Sequence, residues 1–178
     1  MTTARGDGDT ALRERVTSSL GRGQRCASCF VQVLEEEGVE LPPQVAALAP
    51  ALEWGLGRSG AVCGVFVAAV LGKAVQQSAG TEVAGEEPPV PTNEWLDAFT
   101  PFPSRVPDGD PCARLGRRLT AFAKENYGGL ECNRIAGVDY PGGSPALAAL
   151  YFAEGGDNRC VEFIIEAARA FGESDEPS

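Results

Sequence analysis

The chain contains no histidine. That removes the imidazole metal ligand, the commonest general base, and the Ser-His-Asp and Cys-His arrangements of nucleophilic catalysis. There is also no uninterrupted apolar run of about 18 residues, so no membrane-spanning helix is expected. The opening stretch, Met1 to Asp9, has no apolar segment of the kind a secretory signal requires, and the cytoplasm is the expected compartment. Positive charge is scarce. Fifteen Lys and Arg stand against 25 Asp and Glu, giving a net charge of −10. A surface of that sign repels phosphate backbones and anionic lipid, so neither nucleic acid nor membrane is an expected partner. Solubility alone is the plainest account of the charge.

What remains is ordinary globular composition. Of 178 residues, 43% are apolar and 22% charged, which suits one domain with a core of useful size. Six cysteines stand out: Cys26, Cys29, Cys63, Cys112, Cys132 and Cys160. In a reducing compartment such a number points to metal or redox chemistry more than to structural disulfides. The plain alternative is buried thiols packed as small apolar side chains.

The apolar spacing predicts an all-α fold, a compact bundle of five to seven helices in a single domain over 10–172. Residues 1–9 are expected to be a flexible tail. A first helix carries Leu12, Val16 and Leu20, and a second runs from Cys26 to Glu37 with Phe30, Val31, Val33 and Leu34 inward. Pro42 and Pro43 open a third segment, with Val45, Leu48, Leu52 and Trp54 near helical spacing. After the Gly-rich bridge Gly55–Gly60, the stretch Ala61–Val75 is apolar all round and is expected to be the enclosed central helix. Residues 78–111 change character: seven of the 13 prolines lie between Pro88 and Pro111, which predicts a long irregular excursion. A lid, a partner surface and a tolerated insertion are all open readings of it. Further helices are expected over Pro111–Tyr127, briefly over 130–137 and 146–152, and over Arg159–Phe171. An acidic tail closes the chain at 173–178.

Four cysteines occupy comparable places in this map. Cys26, Cys132 and Cys160 each fall at the expected start of a helix, and Cys63 lies three residues after Gly60. Helix starts present unbonded backbone N–H groups and the positive end of the dipole, which stabilise a thiolate. The thiolate is also the form that ligates metal. Spacing alone is not diagnostic, because Cys26-Ala-Ser-Cys29 is a solitary C-x-x-C. Zinc ribbons use two such pairs, and a thioredoxin-like site needs a preceding strand.

Gly23-Gln-Arg-Cys26-Ala-Ser, Trp54-Gly-Leu-Gly-Arg-Ser-Gly-Ala-Val-Cys63-Gly64, Tyr127-Gly-Gly-Leu-Glu-Cys132-Asn-Arg-Ile-Ala-Gly137 and Arg159-Cys160 follow one another in an order that resembles a known family. It is the family of small redox-active proteins named for its C…GCAxxG…C…C cysteines, with a related module at the C-terminal end of split-Soret cytochromes. The resemblance covers about Leu20 to Phe171. It departs at Ala68 or Ala69, where the family has glycine, in the length of 78–111, and in the extra Cys29 and Cys112.

The resemblance implies redox activity, with Cys26, Cys63, Cys132 and Cys160 each giving one thiolate to an iron–sulfur cluster for electron transfer or sulfur chemistry. Its partner would be a redox protein or a small-molecule substrate. Two other readings stay open. Cys26 and Cys29 could form a thiol–disulfide or sulfur-carrying pair, and four cysteines could hold a structural zinc ion. Arg58 and Arg134 lie near Cys63 and Cys132 and are candidate contacts for an anionic substrate, or plain surface arginines. Tyr127, Tyr140 and Tyr151 are candidate hydrogen-bond donors or core-edge residues. Glu35, Glu36 and Glu37 read as a solvated helix end. A homodimer is the simplest assembly the apolar stretch could support.

Overall fold

The computed structural model describes residues 4–56, 59–78, 110–137 and 159–173. Helices α1 (Ala4–Gly21), α2 (Cys26–Glu36) and α3 (Pro43–Leu48) are followed by a 3₁₀ turn over Ala49–Leu52. Then come α4 (Gly64–Ser78), α5 (Pro111–Tyr127), the short α6 (Cys132–Ala136) and α7 (Arg159–Glu173). The fold is all-α. Among the described residues, extended pairing is confined to one isolated antiparallel bridge between Val62 and Glu131. The excursion expected at 78–111 and the brief helix at 146–152 fall, apart from the ends of α4 and α5, outside the described residues.

The core forms where apolar stripes meet. On α2, Ala27, Phe30, Val31, Val33 and Leu34 are buried. On α7, the buried side chains include Val161, Phe163, Ile164, Ile165, Ala168 and Phe171. Phe30 meets Phe171 edge-on, with ring centroids 6.2 Å apart. Each such fully buried apolar side chain stabilises the fold by about 1.5–3 kcal/mol, and edge-to-face geometry adds about 1 kcal/mol. Helix α5 starts on Pro111 with Asp110 as its cap, the carboxylate accepting from the Ala113 N–H at 2.8 Å.

Three expectations need correction. Residues 4–9, expected in the tail, form the first turns of α1. The central helix is not Ala61–Val75. That helix begins at Gly64, three residues later, because Ala61 and Cys63 make backbone bonds to the 130–132 stretch. Nor is it enclosed: Leu71 is 41% exposed. Helix α7 is as central, touching α1, α2, α4, α5 and α6. The apolar run misled because its lysine, Lys73, is fully buried, while Leu71 faces out. The Lys73 ammonium donates to Gln76 Oε1 at 3.0 Å and sits 4.1 Å from the Phe171 ring centre. Its long stem and ring contact let a cation occupy a position that hydropathy assigns to a leucine.

Candidate functional site

The four cysteines at helix starts come together. Cys26 is the first residue of α2 and Cys132 the first of α6. Cys63 directly precedes α4, and Cys160 is the second residue of α7. With Val65, Ile135 and Phe163, these four side chains line one small pocket holding space for about one water molecule. Cys63 and Cys132 are buried, and Cys26 and Cys160 half-buried.

Backbone pairing explains how cysteines far apart in sequence meet. The Cys63 N–H donates to the Leu130 carbonyl at 2.8 Å, and the Cys132 N–H donates to the Ala61 carbonyl at 2.6 Å. These bonds flank the Val62–Glu131 bridge. Each strand fragment then turns into its helix, so two helix starts diverge from one fixed point. Gly64 is needed on steric grounds. A Cβ there would lie 1.8 Å from the Leu52 carbonyl oxygen, so only glycine lets α4 begin against the 3₁₀ turn. Cys26 is fixed from the other side by the turn after Leu52. Trp54 has φ +61° and is the only non-glycine with positive φ among the described residues; Gly55 follows it at +78°.

The electrostatics differ from the expectation of low thiol pKa values. Backbone N–H groups do face the sulfurs: those of Trp54 and Ala27 reach Cys26, and those of Phe66 and Val65 reach Cys63. Burial outweighs them. It pushes the Cys26 and Cys63 thiols up, the latter strongly, and lifts Cys132 from 9.0 to about 12. Loss of water around an anion here costs more than a few amide donors return. Cys26, Cys63 and Cys132 are therefore neutral thiols at neutral pH in the absence of metal, and no disulfide joins any of the six cysteines.

The remaining cysteines lie elsewhere. Cys29 is fully buried and its thiol donates to the Val16 carbonyl at 3.7 Å, in the seam between α1 and α2. Burial lifts its pKa to about 11. Cys112 donates to the Val70 carbonyl at 3.3 Å, between α5 and α4. Neither lines the four-cysteine pocket. Tyr127 is a core-edge residue beside it: the ring packs on Phe122 and Phe163, and its hydroxyl donates to the Arg159 carbonyl at 3.3 Å. Arg134 is exposed and holds the Gly128 carbonyl at 3.2 Å. Glu35, Glu36 and Glu37 are exposed, as expected. Arg58, Tyr140 and Tyr151 lie outside the described residues.

Sequence reading missed the surroundings of Cys26. Glu53 is only 7% exposed. It accepts from the Ser28 hydroxyl at 2.9 Å and pairs with Arg25 at 3.3 Å. Arg25 in turn lies 5.8 Å from the Trp54 ring centre. The available signal was a carboxylate set between Leu52 and Trp54, just ahead of the Gly-rich bridge.

Chemically, the pocket offers four sulfurs and an otherwise apolar wall, with no oxygen or nitrogen side chain in its lining. Such a donor set suits soft, thiolate-loving metals and iron–sulfur groups. Among the described residues, however, no three Cys, Asp or Glu side chains are grouped so as to hold a metal ion as they stand. The sulfurs surround a common void without closing on a common point. No protein family, no curated protein and no solved structure matches this chain. No helix among the described residues is long and apolar enough to cross a membrane.

Proposed function

We propose that the protein is a small redox protein that binds an iron–sulfur cluster through Cys26, Cys63, Cys132 and Cys160. The observation that carries this reading is that four cysteines from four separate stretches line one small pocket with otherwise apolar walls, each at a helix start. The sequence resemblance to the redox-active C…GCAxxG…C…C proteins selects the same four residues. A single zinc ion would need its sulfurs about 2.3 Å from one centre. No grouping that could hold a metal ion as it stands is present among the described residues, so the preference for a cluster over zinc rests on the sequence resemblance. When bound, the cluster supplies one-electron chemistry, or a site for sulfur transfer.

The chain's own part is to bind and shield. Cys63 and Cys132 are held by the paired 61–63 and 130–132 backbones, and Val65, Ile135 and Phe163 keep water from the sulfurs. Binding takes a proton from each thiol, so the cost of ionising buried sulfur is met only when iron is present. The half-buried Cys26 and Cys160 mark the side nearest solvent, where a redox partner protein or a small-molecule substrate would approach. A reducing, cytoplasmic setting suits six unlinked thiols. Cys29, turned against α1, is poorly placed to pair with Cys26 as a working dithiol. The test is iron and acid-labile sulfide in protein purified without oxygen. Both elements, with brown colour, are expected; stoichiometric zinc without sulfide, or no metal at all, overturns the reading.

A further inference from the structure

Three features converge on Cys26. Glu53 is a carboxylate buried almost completely, one residue before the strained Trp54. A buried carboxylate is retained only with partners, and its partners here are the residues beside the sulfur. Arg25 precedes Cys26 directly and pairs with Glu53 at 3.3 Å; Ser28, two residues after Cys26, donates to Glu53 at 2.9 Å. The carboxylate thus spans the first turn of α2 and lies close enough to act on the Cys26 sulfur through its charge. Trp54, at φ +61°, turns its N–H toward the same sulfur and lays its indole against Arg25. Non-glycine residues adopt that conformation at a cost, and such strain gathers where the backbone must present a group in a set direction.

We infer that Glu53 and Arg25 form an opposed charge pair that sets the reduction potential of the site through Cys26, with Trp54 as the turn that positions them. The inference rests on the cluster reading and names a control built into it. The physics is one of sign. Reduction adds negative charge at the site, so a nearby carboxylate disfavours it and a nearby guanidinium favours it. Because Glu53 is sheltered from water, its charge is screened far less than a surface charge is, whereas Arg25, with its side chain 35% exposed, is screened more. Arg25 is the more exposed member. Glu53 is the inner one, held by two donors, so the carboxylate is the fixed charge and the arginine the adjustable one.

The experiment is a potentiometric titration of anaerobically prepared full-length protein, with iron and sulfide measured on each sample. Glu53→Gln is expected to keep the wild-type iron and sulfide content and to raise the midpoint potential. Arg25→Gln is expected to lower it, and Glu53→Asp to leave it near wild type. The opposite signs are the signature, since a merely structural role would move both variants the same way or change cluster content alone. If Arg25→Gln does not fold, Glu53→Gln against Glu53→Asp decides the matter. Variants that hold a full cluster with unshifted potentials, or with shifts of one sign, overturn this inference and leave the cluster reading intact. Wild-type protein without iron and sulfide overturns both.

Discussion

Cys26 and Cys29 sit one turn apart on α2, at the border of two differently built regions. On the Cys29 side, α1 and α2 meet as regular helix faces. Val16, Leu20, Phe30 and Val33 are buried together, and the Cys29 thiol donates to a helix carbonyl. On the Cys26 side the helices have ended. The sulfurs are held by loops, by a tryptophan of positive φ, and by two backbone bonds around an isolated bridge. The same residue type is an inert apolar filler in one region and a candidate ligand in the other. What separates them is the backbone around the sulfur: a continuous helix has already spent its N–H groups, whereas a helix start has not.

The comparison predicts where the molecule is brittle. The largest effect is expected at Gly64, where the pocket region admits no Cβ because Leu52 oxygen would lie 1.8 Å away. Gly64→Ala should destabilise by about 3 kcal/mol, or roughly 5–10 °C in thermal unfolding, and should reduce cluster content as well. A wild-type melting temperature would show that α4 does not begin against the 3₁₀ turn.

Alkaline pH should stress both regions in the metal-free protein. Unfolded thiols ionise near 9.0, whereas Cys29 ionises near 11 and Cys132 near 12 when folded. Above pH 9.0 the unfolded chain gives up protons that the folded chain retains. Stability fully present below that pH should therefore fall through 11 to 12, by on the order of 1 kcal/mol per pH unit for each thiol. Urea titrations at pH 7, 9 and 10 should show a small decline over the first step, about 0.4 kcal/mol per thiol, and a larger one over the last. A flat profile would mean that these thiols are not shielded as described.

A smaller effect separates the two cysteines of α2. In metal-free protein, Cys29→Ala should cost about 1–2 kcal/mol, since it opens a fully packed seam and removes a buried donor. Cys26→Ala, at a half-buried pocket edge, should cost less. The reverse order in denaturant titrations would break the distinction drawn between the regions. Smallest of all is Cys112→Ser. The hydroxyl can still donate to the Val70 carbonyl that now accepts from sulfur, so stability should stay within about 0.5 kcal/mol.

Much of the helical plan was legible because it rests on local signals. Gly38 after α2, Pro111 at the start of α5, and the apolar spacing of Val161, Ile164, Ile165 and Ala168 each mark an element with one or two residues. Helix boundaries alone did not single out the four pocket cysteines, because Cys112 stands second in α5 just as Cys160 stands second in α7; the family resemblance made that choice. The hidden parts depend on contacts distant in sequence. Nothing local shows that Cys63 and Leu130 share a backbone bond, so α4 was started three residues early. Nothing local shows that Lys73, a cation within an apolar stretch, is fully buried, because the Phe171 ring that receives it lies on α7. The thiol pKa values were misjudged by counting amide donors at helix starts without the depth of burial, which is set only when four elements close over the pocket. Glu53 escaped notice because its partners, Arg25 and Ser28, lie a full helix away in sequence.

The central claim is that Cys26, Cys63, Cys132 and Cys160 act as one ligand set while Cys29 and Cys112 stand apart from it. The most direct test is to replace each of the six by serine and to measure bound iron and acid-labile sulfide in protein prepared without oxygen. Loss or weak retention is predicted at the four pocket positions, with wild-type content at Cys29→Ser and Cys112→Ser. Full loss at Cys29→Ser together with full retention at Cys26→Ser or Cys160→Ser would contradict it.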